Sequence, residues 1–173
     1  DLILVSHDHH DHCSPDDIQS IRKPATVLIA NPSAASGLEP PVTILRPGQE
    51  TTVGEIRIRA IPAYNVGKPF HPKTAGHVGY VVFVGEESLY FAGDTDAIPE
   101  MAGLATDVAL LPVSGKYVMT AEEAVQAVQS IGPKVAVPMH YGAGVAGSAD
   151  DAERFRRLSP VPVVILAQEK PAT

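Results

Sequence analysis

The 173-residue chain carries one cysteine, Cys13, so no intramolecular disulfide framework staples it, and this thiol usage suits a reducing compartment. Long hydrophobic runs are missing as well. Apolar runs such as Val81-Val82-Phe83-Val84 are strand-sized and far short of the roughly 18 residues that a membrane-crossing helix needs. Basic residues are scarce: 13 Lys and Arg stand against 20 Asp and Glu, and no basic run exceeds two residues. The resulting net charge of −7 repels a nucleic-acid backbone and offers it no basic groove. No basic-then-apolar leader opens the chain, and no repeat, low-complexity tract or interdomain linker interrupts it. What is there is globular in composition, with 45% apolar and 19% charged residues. The expectation is one soluble cytoplasmic domain over residues 1–173, acting on a small molecule, with neither nucleic acid nor membrane as a partner.

Short apolar runs alternate with helix-like segments. Leu2-Ile3-Leu4-Val5, Val27-Leu28-Ile29-Ala30 and Val108 to Val113 read as strands covered on both faces. Thr51 to Ala60 alternates as an antiparallel strand does, with Val53, Ile56, Ile58 and Ala60 among polar residues. Val78 to Val84 and Ser88 to Ala92 form a hairpin around Gly85-Glu86-Glu87. Val135 to Val137 and Val163 to Leu166 complete the strands. Helices are expected over Pro15 to Ile21, capped by Ser14, from Asn31-Pro32-Ser33, over Thr120 to Ile131 and over Ala149 to Leu158. Thr120 and Glu123 make a capping box, and Gly132-Pro133 ends that helix. Pro62 to Gly76 is irregular, rich in Pro and Gly, and reads as the rim of a site. Strands and helices interleave throughout, so the class is α/β with mixed sheets.

Of the seven histidines, four fall in Ser6-His7-Asp8-His9-His10-Asp11-His12, directly after a buried strand. At a strand end, residues two apart project to one side, so His7 and His9 can grip one metal ion. Asp11 and His12 follow after the chain has turned and can reach a second. Two strand breaks supply further donors. In Phe91-Ala92-Gly93-Asp94-Thr95-Asp96, the carboxylate of Asp94 is costly to bury unless paired or metal-bound, and its two oxygens can bridge two cations. In Val137-Pro138-Met139-His140-Tyr141-Gly142, His140 again stands just past a buried strand. Imidazole and carboxylate donors suit zinc, iron or manganese better than calcium.

These residues carry a resemblance. The runs Ser6-His7-x-His9-x-Asp11-His12, Gly93-Asp94-Thr95 and Pro138-Met139-His140-Tyr141 resemble the metallo-β-lactamase-fold hydrolases. Ala63-Tyr64-Asn65, Tyr90-Phe91-Ala92-Gly93-Asp94-Thr95-Asp96 and Leu111-Pro112-Val113 are similar to elements of the small metal-dependent hydrolases related to ascorbate-6-phosphate lactonases. The resemblance implies an αβ/βα sandwich of mixed sheets, here without the family's usual N-terminal strands. Either the chain is a fragment, or those strands are missing and the sheet left uncovered invites association, with a homo-oligomer as one expectation. It further implies that His7, His9 and one more histidine, His71 or His77, hold a first ion, with His71 favoured. Asp11, His12 and His140 hold the second, and Asp94 bridges. His9 stands where the diiron flavoprotein relatives carry Glu, which argues against that redox branch.

The expected activity is that of a dinuclear metal-dependent hydrolase. Two divalent ions, zinc first and Mn²⁺ or Fe²⁺ otherwise, hold a bridging hydroxide that attacks a small ester, lactone or phosphoester. Asp11 orients that hydroxide and carries the proton toward the leaving group, and Thr95 and Asp96 are the expected partners of the ligating imidazoles. Two alternatives are a mononuclear iron oxidoreductase of the sulfur-dioxygenase type, using His7, His9 and Asp94, and a non-catalytic metal-binding remnant. Tyr141, Lys116 and Tyr117 are weaker candidates for substrate contacts, while Cys13 is expected to pack and His10 to point away.

Overall fold

The computed structural model describes residues 2–142, 144 and 146–167. Strands β1 (Leu2–Val5), β2 (Val27–Ala30) and β3 (Thr43–Ile44) form a parallel sheet in the order β1-β2-β3. A second sheet contains β4 (Glu50–Val53), β5 (Ile56–Pro62), β6 (Val78–Val84), β7 (Glu87–Phe91), β8 (Val108–Pro112) and β9 (Val135–Met139), side by side in chain order. Its pairings are antiparallel from β4 to β7 and parallel from β7 to β9. This is the mixed α/β class that the interleaved pattern implies.

The period-2 alternation of the strands sorts their side chains into layers. Ile29 of β2 meets Ile58 and Ala60 of β5 and Val78 and Tyr80 of β6, so the two sheets pack face to face. The buried Tyr80 hydroxyl crosses that interface and donates to the Val5 carbonyl at 2.8 Å. The outer face of the first sheet carries Val5, Leu28 and Ala30 against Ile18 of α1 (Pro15–Ile21) and Ala34 of α2 (Pro32–Ala35). On the far side of the second sheet, Tyr90, Ala109, Leu111 and Ala136 pack against α3 (Ala121–Ile131) and Phe155 of α4 (Ala149–Leu158). Helix α3 buries Ala124, Ala127, Val128 and Ile131, the i, i+3, i+4, i+7 stripe of an amphipathic helix. The Thr120–Glu123 capping box starts it and left-handed Gly132 stops it. The layers therefore run helix, sheet, sheet, helix. Among the described residues, no helix is long and apolar enough to cross a membrane.

Two expected strands differ. Thr51 to Ala60 is not one strand but the hairpin β4–β5, because Gly54 takes φ +59° and turns the chain between Val53 and Ile56. The alternation continues across the turn, which hides the break from a periodicity reading. Val163 to Leu166 makes only a single parallel bridge, Val163 to Ala136. The two-residue β3 is too short to announce itself in the pattern.

One close approach sets where the strand ends lie. A Cβ on Gly79, in β6, would stand 2.5 Å from the Ala92 carbonyl oxygen and 2.6 Å from that of Phe91. One on Gly93, itself at φ +66°, would stand 2.9 Å from the Val78 carbonyl oxygen and 3.3 Å from Ser6 Cβ. Glycine at both positions lets β1, β6 and β7 end against one another. Gly79→Ala meets backbone that cannot step aside, so a cost of about 1–3 kcal/mol is expected. Thermal unfolding should read it as a melting temperature lowered by several degrees; an unchanged midpoint would refute the close approach.

Candidate metal centre

Four strand ends deliver the donors to one place. The His-rich turn follows β1, with His12 N and Cys13 N both donating to the His9 carbonyl and closing the turn. His71 and His77 lie in the segment leading into β6, whose first amide, Val78 N, donates to the Ser6 carbonyl at 3.1 Å. Asp94 follows Gly93 beyond β7. His140 follows β9 and sits at φ +55°, a left-handed conformation that a non-glycine residue keeps only where the surroundings impose it. That backbone turn brings its ring back over Asp94.

At the centre is the Asp94 carboxylate, 3% exposed. Its Oδ1 is 3.1 Å from His12 Nε2, while its Oδ2 is 3.3 Å from both His71 Nε2 and His140 Nε2 and 4.0 Å from His7 Nε2. Asp11 Oδ2, more open to solvent, is 3.6 Å from His12 Nε2 and from His140 Nε2. His9 Nδ1 is 3.2 Å from His71 Nε2. Three donor trios each draw together within 4.8 Å: His7, His12 and Asp94; Asp11, His12 and His140; His7, His71 and His77. All seven candidate ligands of the sequence, His7, His9, Asp11, His12, His71, Asp94 and His140, thus stand in one cluster. His10 is exposed, and Cys13 packs half-buried against the outer core of the first sheet.

His71 and His77 have different settings. The His71 Nδ1 faces two acceptors, the Asn65 side-chain oxygen at 3.1 Å and the Tyr117 carbonyl at 3.2 Å. Nδ1 therefore carries the proton, and Nε2 turns its lone pair to the cluster. The His77 ring is buried and stacks on His7 at 4.7 Å, with Nε2 3.6 Å from Asp8 Oδ1. It does not line the cleft.

Other contacts on the imidazoles come from residues that the sequence does not single out. Ser6 Oγ lies 2.9 Å from His7 Nδ1, and Ser114 Oγ lies 3.0 Å from His140 Nδ1. A serine offers no spacing signal; only the fold brings Ser114, after β8, to His140. Thr95 and Asp96, in contrast, touch no ligating imidazole. Thr95 bonds the Tyr64 backbone, and Asp96 accepts from Asn65 Nδ2 at 3.2 Å, Val66 N at 2.7 Å and Lys68 Nζ at 2.6 Å. They pin the loop that carries His71 and act on the imidazole through Asn65. Tyr141 packs partly against the core under the helices rather than lining the main cleft.

The electrostatics fit a cation. His7 Nε2 and Asp94 Oδ1 are buried with no hydrogen-bond partner among the described residues, despite the nearby rings. Burial, helped by neighbouring His12, pushes His7 down to about 2, so its imidazole is neutral and its Nε2 free to ligate. Burial would raise the Asp94 carboxyl, yet His12, His140 and His71 outweigh it and hold the group well below the usual carboxylate range. His77 is pushed down to about 4 by burial and then by His71. For His140 burial pulls downward, but Asp94 more than offsets it and the ring titrates above its ordinary value. Imidazole nitrogens, the buried His7 among them neutral, around an ionised, partly unsatisfied carboxylate are the donor chemistry of a divalent metal site. Above it opens a cleft of about 530 Å³, lined by His9, Asp11, Pro69, Phe70, His71, Asp94, Tyr117 and His140.

The depressed histidines set an acid limit. Below pH about 6.5 the unfolded chain takes up protons at positions 7 and 77 that the fold refuses until about 2 and about 4. Their contribution to stability is thus present above pH 6.5 and lost on acidification, by up to about 1.4 kcal/mol per pH unit for each. His140, shifted upward, acts only above pH about 6.5 and so does not offset them below it. The metal-free protein should therefore melt progressively lower from pH about 6.5 down to about 5. A melting temperature that is flat or rises over that interval would contradict the assigned burial.

Comparison with known proteins assigns the family. Residues 1–140 match the model of the beta-lactamase superfamily domain. The chain is 34% identical to a UPF0173 metal-dependent hydrolase of Thermoplasma acidophilum over 99% of its own length and 80% of the relative's. Against that of Thermococcus kodakarensis it is 33% identical, over 91% and 74%. Among solved structures, a Parabacteroides distasonis protein assigned as a metal-dependent hydrolase superposes with a TM-score of 0.83 at 31% identity, covering 95% of this chain and 74% of that one. A metallo hydrolase of Ignicoccus hospitalis, 23% identical, shares the fold with a TM-score of 0.77 over 96% and 76%. The sandwich and the His/Asp cluster that could hold metal are those of a metal-dependent hydrolase, and the chain belongs to the beta-lactamase superfamily, among its UPF0173 hydrolases.

Proposed function

We propose that this hydrolase is dinuclear and opens a small ester, lactone or phosphoester bond. One observation carries the reading: a single buried carboxylate, Asp94, faces imidazoles of both donor sets, His12 on one oxygen and His71 and His140 on the other. His7, His9 and His71 would hold one ion, Asp11, His12 and His140 the other, and Asp94 both. The contacts of His71 with His9 and Asp94 favour it over His77, whose Nε2 is turned to Asp8. Two divalent cations, zinc first, would supply the charge that acidifies a water toward a pKa of about 7 and polarises the substrate oxygen.

The chain's own groups do the remaining work. Asp11 lines the cleft, is half open to solvent, and lies 3.6 Å from His12 and His140. It is placed to take the proton that the attacking water loses and return it to the leaving oxygen. Ser6 and Ser114 fix the rings of His7 and His140 through their Nδ1 atoms. Asn65 fixes His71, and Asn65 is itself held by Asp96, which Lys68 clamps while also reaching the Val118 carbonyl and Glu123 of the α3 capping box. Such outer contacts orient ligands and tune their basicity.

Metal analysis of protein purified without added metal should find about two divalent ions per chain, falling to one or fewer in Asp94→Asn. Asp11→Ala should lower turnover by about 10²–10⁴-fold; full turnover at full metal load in that variant would end the assignment. Asn65→Ala frees the His71 ring and should weaken binding of one ion by about 10–100-fold in a chelator competition. Unchanged affinity would show that the His71 orientation does not depend on Asn65.

A further inference from the structure

The walls of the cleft say which bond of that broad set is taken, and this inference rests on the hydrolase reading above. Among the described residues eight line the cleft, and none of these is Lys or Arg. Two nearby ammonium groups are engaged elsewhere: Lys68 binds Asp96, Glu123 and the Val118 carbonyl, and Lys73 binds Glu100 and the Tyr64 hydroxyl; Lys116 sits over the Tyr117 ring at 4.8 Å and is not among the lining residues. A dianionic phosphate lying beyond the metal positions would meet no guanidinium fork and no ammonium among those lining residues, in a chain whose net charge is −7.

On the positive side stands an aromatic wall. Phe70 and Tyr117 meet edge to face, 4.8 Å between centroids at 84°, and with Pro69 they form one side of the cleft beside His71. Phe70 stays 40% exposed although it is a large apolar side chain at the lip of a cavity. An exposed aromatic ring on a cleft wall is a surface for an apolar group to cover. His71 N is bonded to the Asn65 side-chain oxygen, and the Tyr117 carbonyl accepts from Asn65, so both arms of the wall are tied to the network that orients the His71 ring.

We infer that the substrate is an uncharged carboxylic ester or lactone bearing an aromatic or bulky apolar group, which lies on Phe70 and Tyr117 while its carbonyl faces the Asp94 cluster. In the reaction, water adds to the carbonyl carbon, the acyl–oxygen bond breaks, and the proton of that water passes to the leaving alkoxide through Asp11. An ester gives a carboxylic acid and an alcohol and a lactone gives a single hydroxy acid, with water the only co-reactant.

The test compares zinc-loaded wild type with Phe70→Ala and Phe70→Trp on phenyl acetate, 4-nitrophenyl benzoate, 4-nitrophenyl acetate and bis(4-nitrophenyl) phosphate. The expected kcat/KM is highest on the benzoate, about tenfold or more above the matched acetate. Phe70→Ala should lower the benzoate-to-acetate ratio by about tenfold, mainly through KM, and Phe70→Trp should restore it. Binding supplies a readout apart from turnover: saturation-transfer NMR with N-benzylacetamide should show ring-proton contacts in wild type that Phe70→Ala loses. Preferred turnover of the phosphodiester would overturn the substrate class and leave the hydrolase reading standing. Ester turnover with a ratio indifferent to Phe70 would overturn the aromatic wall. Turnover of none of the four by fully metal-loaded protein would count against the hydrolase reading itself, while the NMR contacts would still decide whether the wall binds.

Discussion

A carboxylate removed from water among histidines is the constraint around which this molecule is organised. Isolated, the buried charge of Asp94 would cost several kcal/mol after relaxation. It persists because His12, His71 and His140 stand within 3.3 Å of its oxygens. Those imidazoles reach it only because the strands that carry them end together. Despite those rings, His7 Nε2 and Asp94 Oδ1 have no hydrogen-bond partner among the described residues, which leaves both atoms open to a cation.

The scaffold meets that demand with two devices. Glycines 79 and 93 remove the side chains that would hold β1, β6 and β7 apart. A hydrogen-bonded lattice from Glu123 through Lys68, Asp96 and Asn65 then ties an irregular loop to the start of a regular helix. A loop is the usual place for a binding residue but a poor place for an accurate one; here His71 inherits its accuracy from α3.

Most of this was legible before the fold was known, and what was not has physical causes. Pro15–Ile21 and Ala149–Leu158 are bounded by capping chemistry that is local in sequence, and the structure keeps those bounds. The ligand cluster was legible because its residue types are rare and stand at strand ends. Thr51 to Ala60 misled because a two-residue turn at Gly54 preserves the alternation on either side of it. Val163 to Leu166 is apolar enough for a strand but finds only one pairing, with Ala136. Asp96 looked like a partner for an imidazole from its place beside Asp94, yet successive residues point apart and it binds the neighbouring loop instead. Ser114 carries no signal at all, and Asn65 only its place in Ala63-Tyr64-Asn65, since their importance lies in which distant residue they meet.

The order of the donors along the chain bears on how the protein is made. His7 lies near one end of the first sheet, whereas His140 stands beyond β9, after every other strand of the second sheet has been laid down. A partly formed chain can offer an ion the tract from His7 to His12, but not the full ring around Asp94. Contacts of such long sequence separation close late, because their loop entropy is repaid only when the intervening elements are already registered. Full ligation of an ion by this cluster would therefore require that both sheets have docked.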